Sequence, residues 1–185
     1  LCPSFTALEL SNDGRVVVGD EDDFSGPTRT QQAAVWRDGL ISRLSLPAHA
    51  TRGDAAASRA VDVSADGTVI AGSSVWNASN GSPPEVGVVL WIDGTPSLLP
   101  EFDIDGDAAS STAYALSSDG ASVLGASWTY SPSLDAGGWL ESALVHWIYR
   151  DGQFHSLGTV PGDEFVGGLA SNGEIAFGST SLDWI

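Results

Sequence analysis

The chain has 185 residues, 42% of them hydrophobic, and carries 24 acidic residues against seven basic ones, for a formal charge of −17. All seven basic residues are Arg, too little positive charge to neutralise a nucleic-acid backbone or to adhere to an anionic bilayer. No apolar run approaches the roughly 20 residues of a membrane helix, and the single cysteine, Cys2, excludes an internal disulfide.

The first strong local signal is Ser11-Asn12-Asp13-Gly14. Asp can bond its own backbone and Gly accepts positive φ, so the chain is expected to reverse tightly there. Gly19 follows five residues later, and then the acidic run Asp20-Glu21-Asp22-Asp23, which reads as a solvated loop where a strand opens into a long connection. Trp36 ends another strand, Asp38-Gly39 forms a second tight turn, and a fourth strand is expected over residues 40–46.

The order then repeats. Residues 59–63 alternate apolar and polar positions as a half-buried strand does, Ser64-Ala65-Asp66-Gly67 turns, and residues 68–72 read as a strand ending in Gly72. A polar stretch over 73–85 leads to a strand over 86–91 ending in Trp91, a turn at Asp93-Gly94 and a short strand over 96–99. The third copy has Ser117-Ser118-Asp119-Gly120, Gly125, Trp147, Asp151-Gly152 and a strand over 154–157. A worn copy, Ser171-Asn172-Gly173-Glu174, precedes Gly178. The turn glycines and second glycines both step by 53 residues, while connections before and after each Trp trade length.

Four short strands joined by hairpins at this period predict an all-β, β-propeller-like array of four-stranded antiparallel repeats. The repeats span about 5–57, 58–110 and 111–164, with a half repeat over 165–185, in one domain. With no Met in the chain, it is expected to be a processed form or a segment of a longer protein. The half repeat leaves strand edges that invite another chain, so a homo- or hetero-assembly through those edges is expected.

Residues 11–19 and 64–72 (Ser-x-Asp-Gly followed by the second Gly), residues 34–39 around Trp36, and His155-Ser156-Leu157-Gly158-Thr159-Val160-Pro161-Gly162 resemble the HAF-type extracellular repeats of bacterial secreted and autotransporter-like proteins. The likeness runs along nearly the whole chain. It implies a propeller-like fold and export to the cell surface or the medium, and it brings no catalytic residues.

Candidate sites follow from residue type. Trp36, Trp91 and Trp147 read as one repeated core position. Phe24, Trp76, Trp128, Tyr130 and Trp139 fall among Gly, Ser and Pro in the long connections, where aromatic rings can stack on sugars or contact a protein; they are the candidate ligand-binding residues. Asp103, Asp105 and Asp107 place oxygen ligands at alternate positions, as at the start of a calcium loop, although Tyr114 stands where a bidentate Glu is needed. Calcium is therefore the candidate cofactor. Asn77-Ala78-Ser79 and Asn80-Gly81-Ser82 are glycosylation-type tripeptides. His49, His146 and His155 lack metal-ligand spacing, and no nucleophile motif is present, so no catalytic residue is assigned.

These features predict a non-enzymatic extracellular scaffold for surface assembly or adhesion, binding a protein or glycan through its long connections. Two other readings stand beside it. One is a self-assembling filament or surface-layer subunit, and the other is a glycan-cleaving enzyme on a propeller fold.

Overall fold

The structure, a computed structural model, describes residues 4–23, 30–47, 57–76, 84–104, 107–108, 110–132, 139–141, 144–159, 165–174 and 176–179. Among these there is no helix. The first sheet holds β1 (Ser4–Leu10), β2 (Val16–Asp23), β3 (Thr30–Arg37) and β4 (Leu40–Arg43) in chain order. The second holds β5 (Ala57–Val63), β6 (Val69–Trp76), β7 (Glu85–Ile92) and β8 (Thr95–Leu98). A two-stranded piece, β9 (Asp103–Ile104) and β10 (Asp107–Ala108), lies on the way to the third sheet. That sheet combines β11 (Ser110–Leu116) and β12 (Ser122–Trp128) with β15 (Val145–Arg150) and β16 (Gln153–Thr159). The ribbon β13 (Tyr130–Pro132) and β14 (Trp139–Glu141) is inserted between β12 and β15, and β17 (Phe165–Leu169) pairs with β18 (Ala176–Ser179). Every pairing is antiparallel.

The Ser-x-Asp-Gly turn works through one buried hydroxyl. Ser117 Oγ donates to Asp119 Oδ1 (2.6 Å) and accepts the Ser122 N–H (2.9 Å), while Asp119 Oδ1 also accepts the Ala121 N–H (3.0 Å). Ser11 and Ser64 do the same with Asp13 and Val16, and with Asp66 and Val69. In each turn Gly takes a φ near +74°, which a side chain resists (Gly14 +73°, Gly67 +74°, Gly120 +74°). The fourth turn is displaced by one residue from the expected reading. Gly173 N–H donates to the Ala170 carbonyl as Gly120 donates to Ser117, so Ala170, not Ser171, occupies the serine position and Asn172 the aspartate position.

The second glycine has a different cause. Each first strand carries a bulge, between Ala7 and Glu9, Ala60 and Asp62, Ala113 and Ala115, and Val166 and Gly168. Opposite it, a Cβ on Gly19 or Gly72 would strike the Thr6 or Arg59 carbonyl, and one on Gly125 would sit 2.5 Å from Thr112 O and from the Trp147 ring.

The strand registers also revise the aromatic repeat. Trp36 pairs with Val17 and Trp91 with Ile70, but the matching partner of Val123 is Tyr149; Trp147 pairs with Gly125, two residues earlier. Trp91 and Trp147 are fully buried, whereas Trp36 is only half-buried.

The core consists of apolar slabs between successive sheets. Val16, Val18, Ala33, Val35 and Leu44 of the first sheet meet Ala60, Val63, Ile70 and Trp91 of the second. Ala71 and Val88 meet Ala113, Leu116, Val123 and Trp147, with Phe102 stacked on the Trp147 ring and Phe154 edge-on to it. Ala115, Leu124 and Ile148 meet Leu169 and Ala176. Contact between sheets is concentrated on the first strands: β5 packs on β1, β2 and β3, β11 on β5, β6 and β7, and β17 on β11 and β12.

Candidate functional site

Antiparallel alternation gives the array two unlike ends. At one end lie the tight turns, and neighbouring turns bind one another: Ala65 N–H donates to the Ser118 carbonyl (2.7 Å), Ser118 N–H to the Ser171 carbonyl (3.1 Å), and Arg37 to the Gly67 carbonyl. The opposite end receives the finish of β2, β6 and β12 and the start of β3, β7 and β15, with the links that join one sheet to the next. The six described candidates, Trp76, Trp128, Tyr130, Trp139, Asp103 and Asp107, belong to this second end by chain position. Phe24 and Asp105 lie outside the described residues.

Trp76 and Trp128 terminate β6 and β12 rather than standing in loops, and both are half-buried. The Trp76 indole N–H donates to Glu85 Oε2 (2.7 Å), and its ring covers Gly87, where an added Cβ would lie 2.6 Å from the ring. Trp76 is thus partly committed to its own sheet. Tyr130 and Trp139 fall on the β13–β14 ribbon, which pairs Tyr130 with Glu141 and Pro132 with Trp139. The ribbon follows directly on the end of β12, so that Tyr130 stands two residues beyond Trp128.

Asp103 is exposed on β9 and pairs with Ala108, while Asp107 on β10 pairs with Ile104. Among the described residues no group of three or more His, Cys, Asp or Glu could hold a metal ion.

The acidic run 20–23 is not a loop. It completes β2, with Asp20 2% and Asp22 6% exposed. Asp20 accepts from Gln31 Nε2 (2.9 Å) and faces Arg59 Nε of the next sheet at 3.2 Å. Glu21 and Asp23 both bind Arg43 (2.8 and 3.2 Å), whose proton is held more firmly first by the Glu21 hydrogen bond and then by that to Asp23. The equivalent junction between the second and third sheets uses neutral groups: Ser73 Oγ lies 2.9 Å from Thr112 Oγ1 and accepts the Ala113 N–H (3.0 Å).

Two kinds of carboxylate are perturbed. Asp13, Asp66 and Asp119 are held below the usual range by their turns; for Asp66 the Thr68 N–H leads, then the Ser64 and Thr68 hydroxyls, bringing it to about 2. Burial raises Asp62 instead, against the Leu116 and Val63 N–H groups that it accepts (2.6 and 2.7 Å). His146 is 2% exposed beside the Tyr114 ring, a structural placement in agreement with its position next to Trp147.

A groove of about 310 Å³ lies between the first and second sheets, lined by Val35, Arg37, Ser42, Arg43, Leu44, Ser45, Ile70, Asp93 and Gly94. Both of its guanidinium groups are already engaged, Arg37 by Gly67 and Arg43 by Glu21 and Asp23. No family model matches the chain, and no curated protein matches it.

Proposed function

We propose that the chain is a non-enzymatic extracellular scaffold, propeller-like in the fanning of its sheets, that recognises a protein or glycan at its connection end. The separation of the two ends carries this reading. At the tight-turn end the first turns of the second, third and fourth repeats are tied to one another by backbone hydrogen bonds, while the other end carries the longer connections and the aromatic residues Trp76, Trp128, Tyr130 and Trp139. Variable connections on a rigid framework are the usual carriers of recognition.

The fan is supported by first strands in mutual contact, β1 with β5, β5 with β11 and β11 with β17, and by fourth strands at the opposite edge of each sheet. An extracellular setting rests on the resemblance to HAF-type repeats and on the strongly acidic composition.

Repeat-equivalent positions argue against hydrolysis. Asp20 is matched by Ser73 and Ala126, and Glu9 by Asp62 and Ala115. Of the carboxylates that recur, Asp13, Asp66 and Asp119 are each tied into a turn and held toward the ionised form. They offer no proton to a leaving group.

Screening the protein against immobilised glycans and surface-protein extracts tests the reading, with Trp128→Ala and Trp139→Ala as probes. The expected result is about tenfold or greater loss of binding with unchanged far-UV circular dichroism. Binding unaltered in both folded variants would remove recognition from this end.

A further inference from the structure

We propose that the groove between the first and second sheets is a binding site for one neutral sugar ring. Its floor is apolar: Val35, Leu44 and Ile70 line it and are 7%, 5% and 2% exposed. Ser42 pairs with Val35 across β3 and β4, and Arg37 lies two residues beyond Val35, so both stand on the side of the first sheet that meets the second. From the second sheet the turn between β7 and β8 brings the exposed Asp93 to the rim. Arg43 turns its guanidinium to Glu21 and Asp23 instead.

The second junction is filled by the chain itself. Register and the matching bonds from Leu44 and Leu99 place Leu90, Leu99 and Val123 where the first junction has Val35, Leu44 and the Ile70 neighbourhood, and Ile92 where it has Arg37. There Phe154, opposite Tyr149, packs 4.9 Å from the Trp147 ring and 5.2 Å from Phe102. At the first junction Pro96, opposite Trp91, holds the position of Phe154, and Pro47, three residues past Leu44, that of Phe102. Two aromatic rings thus give way to prolines at the junction that has the groove, and a guanidinium takes the place of an isoleucine.

The rim sets the ligand's chemistry. Arg37 and Asp93 carry opposite charges, so a neutral ligand is favoured over an ion. One nitrogen of the Arg37 guanidinium is held by the Gly67 carbonyl, and the group has five N–H donors in all. Asp93 accepts, and the Ser42 hydroxyl does either. A sugar ring offers C–H groups on its face and hydroxyls around its edge, which matches an apolar floor under a donor and acceptor rim. A volume of about 310 Å³ is room for one ring. The turn that carries Asp93 belongs to the tight-turn end, so the site does not rest on recognition at the connection end.

Amide NMR titration of the full chain with glucose, galactose, mannose and N-acetylglucosamine tests this, with glucuronate and glucosamine as charged counterparts. At least one neutral sugar is expected to shift the Ser42, Ser45 and Gly94 amides saturably, with a Kd on the order of 1 mM, and to bind more tightly than either charged one. Asp93→Asn keeps a turn dipeptide that accepts positive φ and removes the charged acceptor, so binding should weaken about tenfold or more. The same exchange at Asp151, in the matching turn of the third sheet, should change nothing. Ser42→Trp, at an exposed position, should abolish the shifts by filling the groove, whereas Trp128→Ala and Trp139→Ala should leave them intact. No saturable shift from any neutral sugar up to about 50 mM, tighter binding of a charged sugar, equal losses from the two asparagine exchanges, or loss of the shifts in the Trp128 and Trp139 variants overturns the proposal.

Discussion

Replacing Ser117 by Ala removes one oxygen that is completely buried and serves two partners. The Ser122 N–H, in a residue 4% exposed, loses its acceptor, and Asp119 loses the donor that does most to hold its proton affinity down. Leaving a buried N–H unpaired costs about 1–3 kcal/mol. In a chain of this length about 2 kcal/mol lowers the melting temperature by roughly 4–8 °C. Thermal melts followed by circular dichroism give that number, and native-state hydrogen exchange at the Ser122 amide localises it. The pH dependence has a defined sign. A carboxylate held below its ordinary value stabilises the fold above that value, and the gain is lost as pH falls through the folded-state value. For Asp66 this window runs from 3.8 down to about 2. With its hydroxyl donor gone, Asp119 has less of this gain to lose. The deficit of Ser117→Ala should therefore be largest above the ordinary carboxylate value and narrow as pH falls below it. A fall in melting temperature below about 1 °C, with Ser122 protection unaltered, would refute the hydroxyl's role.

Other perturbations separate the remaining forces. Gly72→Ala drives a Cβ into the Arg59 carbonyl and to 2.9 Å from Trp91, so a loss of about 3 kcal/mol or more is expected in urea unfolding. Gly39→Ala has open space and only its φ of +83° against it, about 1 kcal/mol; equal losses would show that crowding is not the cause at Gly72. At the first junction, Arg59→Thr strands the buried Asp20 and should cost about 1–3 kcal/mol, while adding Asp20→Ser copies the Ser73–Thr112 pair and recovers most of it. A double-mutant cycle without coupling would count against that exchange.

The turns and the second glycines were legible because their chemistry is local: hydroxyl, carboxylate and glycine act within six residues of one another. Register was less legible. Trp147 and Tyr149 lie on the same side of one strand, and matching by residue identity selected the Trp, whereas pairing with Val123 assigns the position to Tyr149. Ser171 resembled the turn serine although Ala170 holds its place, because the hydroxyl had moved by one residue. The burial of Asp20 could not be read locally, since Arg59 arrives from the next sheet. Likewise Trp76 read as a loop aromatic because Glu85 and Gly87, which hold it, stand on the following strand.

Repeats so alike risk assembling out of turn, with one sheet docking where its neighbour belongs. The unlike junctions oppose this. Asp20 finds Arg59 across the first junction, Ser73 finds Thr112 across the second, and Ala126 stands at the same place in the third sheet. A slip by one whole repeat would set the buried Asp20 against Thr112 and leave its charge uncompensated. The ion pair thereby acts as a checksum on sheet order, read while the chain folds.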